Sequence, residues 1–285
     1  MAERAGIEAV LLGIAQDAGV PQAGCYCDNC QRARNDASQR QLVVCLGLVD
    51  HLTGQSWLID ATPDFREQLH RLHQIAPACP LAGIILTHAH IGHYTGLIHL
   101  GPEVMNTHGL PVYASALMAG FLRSHAPWSQ LVSRQHIALQ RLTPGSETQL
   151  SPNLAVSPLP VPHRDEFSDT LAFAIRGPTR RLLYCPDIDH WDKWEYDLRS
   201  FVATVDVAVL DGTFFSPDEL PGRDLSQIPH PLVTDTVERL AGVTSEVYFI
   251  HLNHSNPLLT DGPEMDWLAH QGFGVGRAGL RWQLR

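Results

Sequence analysis

The sequence predicts a single layered α/β domain that spans residues 1–285, with β-sheets inside and helices outside. Three observations lead to this prediction. The 285 residues suffice for one large core, and 44% of them are hydrophobic while 18% are charged, which is an ordinary globular composition. Short apolar runs typical of strands dominate both halves, with helical segments between them. No stretch rich in Pro, Gly or Ser separates the two halves.

The first half contains short apolar runs bounded by turn residues, which predict strands. These strands are Ile7–Ile14, Leu42–Val49, Ser56–Ile59, Gly83–Leu86 and Pro111–Ala114. A loop is predicted over Gln16–Asn29, and the polar segment Gln31–Gln39 predicts a short helix. Apolar residues recur at helical spacing in Pro63–Leu72, so this segment predicts a helix. A further helix follows the fifth strand and continues through Leu122.

The second half has the same character, with one predicted helix at Val233–Leu240. Its predicted strands are Leu154–Val161, Thr170–Ile175, Arg181–Tyr184, Val207–Leu210 and Glu246–Ile250. Polar residues follow four strands of the chain; these are His88, His163, Asp187 and His251. Because strand ends present side chains rigidly at one edge of a sheet, we expect a site assembled from distant segments.

Charge and composition narrow the classes of function. Lys and Arg number 20 and Asp and Glu number 30, which gives a net charge of −10. Duplex DNA binding needs clustered positive charge, so we expect no nucleic-acid partner. The 16 histidines are far more than packing requires, and histidine is the commonest metal ligand. The composition therefore points toward metal chemistry.

The sequence also bears on the compartment. No stretch approaches the roughly 18 apolar residues of a membrane span, and the first residues lack a signal-peptide layout. We therefore expect a cytoplasmic protein with no membrane partner. In a reducing compartment the six cysteines should not form three disulfides.

Three histidines stand within six residues after the strand Gly83–Leu86, namely His88, His90 and His93. In an extended loop, His88 and His90 point the same way and can chelate one ion, because side chains repeat every two residues. His93 would face a neighbouring position. The alternative is a group of surface histidines in a loop.

A second cluster, Cys25, Cys27 and Cys30, has the spacing Cys-x-Cys-x-x-Cys. Three thiolates this close need one more ligand to complete a tetrahedral zinc site. The alternative is a redox-active or merely exposed group of thiols.

The segment from His88 to His93 resembles the His-x-His-x-Asp-His signature of the metallo-β-lactamase superfamily. His163, Asp187 and His251 match the later part of the pattern in order, so the resemblance spans nearly the whole chain. Within the superfamily the chain is most similar to the family of coenzyme PQQ synthesis protein B and to the cyclic-phosphate phosphodiesterases of phosphonate breakdown. The shared features are the cysteine cluster and the Pro-x-Pro-His-Arg and Asn-Pro segments.

The resemblance implies an αββα sandwich, two mixed sheets flanked by helices, with metal at one edge of the sheets. It implies a first metal held by His88, His90 and His163. The second metal would be bound by His93, Asp187 and His251, with the Asp187 carboxylate bridging the two ions. Asp189, two residues further on, is the alternative to Asp187.

One position departs from the family pattern, because Gly92 stands where the pattern has Asp. Glycine offers no side-chain ligand, so we expect a mononuclear or asymmetrically loaded site. One or two divalent ions remain open, and imidazole and carboxylate ligands suit zinc, iron or manganese.

The resemblance also supplies a fourth ligand for the cysteine cluster. Relatives carry a structural zinc there, and His254, three residues after His251, matches the fourth ligand of the phosphodiesterases. Asp211 lies in a segment that resembles the acidic-x-Thr segment of some superfamily nucleases, where the acid supports a catalytic histidine; an ordinary turn Asp is the alternative. His230 either reaches the pocket or is a loop histidine.

Three functions follow as hypotheses. The first is a metal-dependent hydrolase of an ester, lactone or phosphodiester, with Asp187 and Asp211 as its catalytic carboxylates. The second is an iron-dependent oxidoreductase related to PQQ biosynthesis, and the third is a non-catalytic binding or carrier protein stabilised by zinc. The expected substrate is a small molecule or small peptide, and a homodimer is left open.

Overall fold

The computed structural model describes residues 6–219, 221–222, 224 and 229–285. The described chain forms two seven-stranded sheets. The first sheet consists of β1 (Ile7–Gly13), β2 (Cys45–Asp50), β3 (Gln55–Ile59), β4 (Leu81–Ile85), β5 (Leu110–Ala114), β6 (Ile137–Arg141) and the C-terminal β14 (Arg281–Gln283). The second consists of β7 (Thr148–Ser151), β8 (Leu154–Val161), β9 (Thr170–Arg176), β10 (Arg181–Cys185), β11 (Val207–Asp211), β12 (Glu246–Ile250) and β13 (Gly274–Val275).

Both sheets are mixed and follow similar topologies. The first has the order β14-β1-β2-β3-β4-β5-β6, antiparallel as far as β3 and parallel from β3 to β6. The second has the order β13-β12-β11-β10-β9-β8-β7, antiparallel from β7 to β10 and parallel from β10 to β13. Short edge strands complete each sheet.

Helices connect the strands. The α-helices are α1 (Asp28–Asn35), α2 (Phe65–Ile75), α3 (Ile91–Tyr94), α4 (Ala116–Ser124), α5 (Trp128–Ser133), α6 (Leu198–Val202), α7 (Val233–Arg239) and α8 (Pro263–His270). The described part of the chain contains no helix that is both long and apolar enough to cross a lipid bilayer.

The main core lies between the sheets. Leu11 of β1 belongs to the apolar cluster that also contains Phe173 of β9 and Phe249 of β12. Its neighbours Val10 and Leu12 belong to a second cluster on the other face of the first sheet, where α2 and α4 pack. Since successive side chains of a strand point to opposite faces, β1 is buried on both sides. The predicted αββα sandwich of two mixed sheets flanked by helices is confirmed.

The element boundaries differ from the sequence prediction in a few places. The strand predicted from Leu42 begins only at Cys45. The helix predicted over Gln31–Gln39 runs instead from Asp28 to Asn35 and is followed by a one-turn 3₁₀ helix at Ala37–Gln39. The short edge strands β6, β7, β13 and β14 were not predicted, because they are short or largely polar and carry little periodic signal.

Candidate metal centre

The polar residues that follow the strands lie together at one edge of the sandwich. Strand β4 of the first sheet leads to His88, and strands β8, β10 and β12 of the second lead to His163, Asp187 and His251. All four side chains are buried. The fold therefore brings together residues that are far apart in the sequence, as the strand-end pattern predicts.

One group contains the residues assigned to the first metal. The nitrogen and oxygen atoms that His88, His90, His163 and Asp187 offer lie within 4.8 Å of one another. Nε2 of His163 is 3.1 Å from Oδ2 of Asp187 and 3.2 Å from Nδ1 of His90, and Nε2 of His88 is 3.4 Å from the same Asp187 oxygen. Two ligand atoms on one tetrahedral ion are about 3.3 Å apart when the bonds are about 2.0 Å long. These separations match those of ligand atoms that share one ion.

The rings of this group are oriented by hydrogen bonds to their other nitrogens. Nδ1 of His163 is 2.9 Å from Oδ1 of Asp189, so Asp189 lies behind the ring while Asp187 lies in the cluster. Nδ1 of His88 is 3.0 Å from the hydroxyl of Thr87. Both contacts leave Nε2 directed at the cluster, which is how metal-binding histidines are usually fixed.

A second group forms beside the first, and it includes a residue that the sequence reasoning missed. The ligand atoms of Asp17, His93 and His251 lie within 4.8 Å of one another. Nε2 of His93 is 3.3 Å from Oδ1 of Asp17, and Oδ2 of Asp187 is 3.9 Å from His93 and 3.8 Å from His251. Asp187 thus stands between the two groups, where a bridging carboxylate would lie.

Buried polar residues also orient the second group. Nδ1 of His93 is 2.7 Å from Oδ2 of Asp60, which is fully buried after β3. Nδ1 of His251 is 2.8 Å from the hydroxyl of Thr213, which donates to Oδ1 of Asp211. Asp60 follows a strand just as Asp187 does, so the same signal could have found it.

Asp211 acts through hydrogen bonds. Its Oδ1 accepts from the backbone N–H and hydroxyl of Thr213, and its Oδ2 accepts from the backbone N–H of Ile188 and lies 2.9 Å from Nδ1 of His230. Both oxygens are therefore occupied. The ligand atoms of Asp211, Asp187, His230 and His251 also lie within 4.8 Å of one another, and the hydrogen bonds of Asp211 hold Thr213 and His230 in place. His230 itself is buried beside Asp187, with Nδ1 3.4 Å from Oδ1 of that carboxylate.

The cluster contains polar atoms that nothing in the described chain satisfies. Half of the ten buried side-chain atoms without a hydrogen-bond partner in the described chain lie here: Nε2 of His88, His93 and His251, Oδ1 of Asp187 and Oδ1 of Asp17. Each such atom would cost about 1–3 kcal/mol if left unpaired. All five belong to the two groups of candidate ligands, and nitrogen and carboxylate oxygen suit zinc, iron and manganese. The residues present therefore fit divalent metal ions.

The electrostatics of the cluster favour the metal-binding protonation states of His88 and Asp187, whereas at His163 burial is outweighed by the carboxylates of Asp187 and Asp189, which raise the pKa of that ring. Burial lowers the pKa of His88 well below its ordinary value, which keeps this imidazole neutral. Burial alone would raise the pKa of Asp187, but the neighbouring His251, His230 and His163 outweigh it and hold the pKa well below the ordinary value. Neutral imidazole and ionised carboxylate are the forms that bind metal.

His93 lies in an environment that stabilises positive charge. Burial lowers the pKa of this ring, but the carboxylates of Asp60 and Asp17 outweigh burial and raise the pKa well above its ordinary value. A buried position between two carboxylates attracts a cation as it attracts a proton.

The cysteine cluster forms a separate site. Cys25, Cys27, Cys30 and His254 offer ligand atoms within 4.8 Å of one another, and Nδ1 of His254 is 3.4 Å from the sulfur of Cys25 and of Cys27. Nearby, the side-chain amide of Asn29 donates to the backbone oxygen of His254 at 2.9 Å. All six cysteines of the chain carry free thiols. Four protein ligands leave no open position, as in structural zinc sites.

Comparison with known proteins agrees with this geometry. A family model described as "Beta-lactamase superfamily domain" matches residues 56–252. The chain is 27% identical over 309 residues to coenzyme PQQ synthesis protein B of Methylobacterium radiotolerans, covering 96% of this chain and 99% of that protein.

Two crystal structures share the fold. Zn²⁺-bound PqqB from Methylobacterium extorquens superposes with a TM-score of 0.81 at 22% identity, over 96% of this chain and 99% of that one. A diphosphatase from the PhnP family gives a TM-score of 0.71 at 21% identity, over 97% and 96% of the two chains. With the family model covering more than half of the chain, this protein belongs to the β-lactamase superfamily and has the metallo-β-lactamase fold.

Proposed function

We propose that the protein is a metal-dependent hydrolase of a small ester, lactone or phosphodiester. The observation that carries the proposal is the convergence of His88, His90, His163 and Asp187 from both sheets, in which Nε2 of His88 and Oδ1 of Asp187 are buried without a hydrogen-bond partner. His88, His90 and His163 would hold one divalent ion, and Asp187 would bind from the side of the second group. A divalent ion bound there would polarise the scissile group and lower the pKa of a water molecule toward about 7.

The protein's own residues prepare the site for this chemistry. Asp189 and Thr87 fix the rings of His163 and His88, so that little reorganisation is needed when a substrate arrives. The second group, which includes His93 and His251, adds further metal-binding capacity beside Asp187.

His230 is the candidate proton carrier. Its Nδ1 lies 2.9 Å from Oδ2 of Asp211, which fixes the ring and leaves the other nitrogen for exchange with substrate. The ring centre of His230 is 5.7 Å from that of His163, so the group stands beside the metal ligands. In this role His230 would protonate the leaving group and Asp211 would position it.

The substrate class rests on the similar proteins. The PhnP-family structure is named a diphosphatase, which favours a substrate in which a phosphorus–oxygen bond is cleaved over a carboxylic ester or a lactone. We expect a small molecule or small peptide as substrate, a cytoplasmic location, and no nucleic-acid or membrane partner.

The relatives named coenzyme PQQ synthesis protein B support a second candidate, an iron-dependent oxidoreductase of cofactor synthesis. Histidines and one carboxylate with open positions are a ligand set that non-haem iron uses to react with oxygen. The same residues would serve either chemistry, so the identity of the ion separates the two candidates.

The test compares the protein with two histidine variants. Chains loaded with zinc, manganese or iron(II) are assayed with bis(p-nitrophenyl) phosphate, p-nitrophenyl acetate and a simple lactone, and oxygen uptake is followed in parallel. His88→Ala removes a ligand of the cluster, whereas His73→Ala removes an exposed histidine of α2 and serves as the control. We expect hydrolysis that His73→Ala retains and His88→Ala loses.

The outcomes separate the candidates. Oxygen uptake with iron and no hydrolysis with any metal would support the oxidoreductase instead. A chain that binds one zinc at its cysteines and turns over nothing would be a non-catalytic binding protein.

A further inference from the structure

Gly92 and Asp17 occupy the same place in the cluster. A Cβ atom built on Gly92 would lie 2.1 Å from Oδ1 of Asp17, 2.6 Å from its Cα and 2.9 Å from its Cβ. Atoms cannot approach this closely, so a side chain at position 92 and the carboxylate of Asp17 exclude each other. The loop after β1 thus places a carboxylate where the residue before His93 would otherwise project.

Asp17 is directed at buried nitrogens. Its Oδ1 is 3.3 Å from Nε2 of His93 and within 4.8 Å of the ligand nitrogen of His251. Although the residue is partly exposed, this oxygen is buried, and its contact with Nε2 of His93 is an ion pair and not a hydrogen bond. Neither of these two atoms, nor Nε2 of His251, has a hydrogen-bond partner among the described residues. Three buried atoms that each need a partner therefore face one point.

We propose that Asp17 is a ligand of a second divalent ion, which it holds together with His93, His251 and the bridging carboxylate of Asp187. The proposal deepens the proposed metal centre and rests on it. It replaces the expectation that Gly92 leaves the second position short of a ligand, because a segment from the start of the chain supplies the missing carboxylate. The donor set of two imidazoles and two carboxylates suits zinc, iron or manganese.

The backbone around Asp17 supports this role. The N–H of Gln16 donates to the carbonyl of Leu252 at 2.9 Å, and the N–H of Gly19 donates to the carbonyl of Gln16 at 2.8 Å. Leu252 is the residue after His251, so Asp17 is attached beside one of its partner ligands. A ligand held in place in this way loses little conformational freedom when an ion binds.

The test is the number of ions per chain. The protein is stripped with a chelator, reloaded with zinc and dialysed, and bound metal is measured by mass spectrometry. We expect three ions in the parent chain and two in Asp17→Asn, which keeps the shape of the side chain but removes its charge. Gly92→Ala should also hold two. In this variant Asp17 itself is unchanged, but the added methyl group would push its carboxylate out of the site. The control Asp165→Asn removes an exposed carboxylate beside the cluster and should keep three.

A second measurement locates the lost ion. With cobalt(II) in place of zinc, the sulfur-to-cobalt charge-transfer absorption reports the cysteine site separately, and it should be unchanged in Asp17→Asn and Gly92→Ala. Titration of the remaining sites should show second-ion binding weakened by more than about 100-fold, because changing even outer partners of a ligand costs about 10–100-fold. An unchanged sulfur band also shows that each variant is folded around that site.

Each result decides the question. Three tightly bound ions in Asp17→Asn or in Gly92→Ala would overturn the role of Asp17 while leaving the proposed hydrolase intact. Two ions in the parent chain would overturn the second ion itself. A single ion, at the cysteines, would overturn the proposed metal centre as well.

Discussion

The histidine–aspartate cluster and the cysteine site differ in burial and in support. In the cluster, the side chains of His88, His93 and Asp187 are almost completely buried, and hydrogen bonds to the outer ring nitrogens orient the histidines. At the cysteine site, Cys25 and Cys27 are partly exposed, and the site offers four protein ligands, enough to complete a tetrahedral zinc site. A metal site that keeps a position open for substrate needs surrounding hydrogen bonds to orient its ligands, as in the histidine–aspartate cluster. A site with four protein ligands, such as the cysteine site, is held by those ligands.

The largest effect on activity should come from a substitution in the histidine–aspartate cluster. We expect His88→Ala to lower kcat/KM by more than about 10³-fold, because it removes a ligand of the ion that polarises the substrate. Thermal melting should change far less than activity, since the β-sandwich core does not depend on this ring. Turnover and melting temperature of the same preparation are the measurements. If kcat/KM of His88→Ala stayed within tenfold of the parent value, the reaction would not take place at this cluster.

An intermediate effect should come from the polar network. Asp60→Asn weakens the contact that orients His93, and we expect metal affinity of the cluster to fall about 10–100-fold. Glu166→Gln is the matched control, because Glu166 also contacts a cluster histidine, His90, at 3.2 Å but is about half exposed. Solvent weakens such contacts, so its affinity should change by less than about threefold. Equal losses in a zinc titration of both variants would show that burial of the partner does not matter.

The smallest effect on turnover should come from a substitution at the cysteine site. Cys27→Ala should lower the free energy of unfolding by about 2 kcal/mol or more, because ligand binding at such sites is coupled to folding. This corresponds to a fall in melting temperature of about 5 °C. Turnover per folded molecule should stay within about tenfold. If turnover of the folded variant fell as far as in His88→Ala, the separation of the two roles would be wrong.

Strand-end residues were the part of the site that the sequence could predict. His88, His163 and Asp187 each follow an apolar run, and parallel or adjacent strands bring such ends to one edge. Asp17 carries no such signal, because it lies in a glycine-containing loop far from His93 in the sequence. Counting ligands along the motif therefore missed a carboxylate that only the folded chain brings near.

The fold, like the site, could be predicted from the sequence only in part. Long apolar strands such as β1 and β8 were found from their composition, while the polar edge strands β6 and β7 were not. Edge strands owe their conformation to pairing with a neighbour, which a local pattern does not contain. The same limit applies to Thr213, whose hydroxyl links His251 to Asp211 only after the strands have paired.

Two short stretches of backbone run side by side and reach both metal sites. The stretch after β1 carries Asp17 and then Cys25, while the stretch after β12 carries His251 and then His254. They are joined where the N–H of Leu252 donates to the carbonyl of Ile14 at 2.9 Å. Zinc at the cysteines should therefore steady the backbone that carries Asp17 and His251, and its loss should weaken the inner site only modestly.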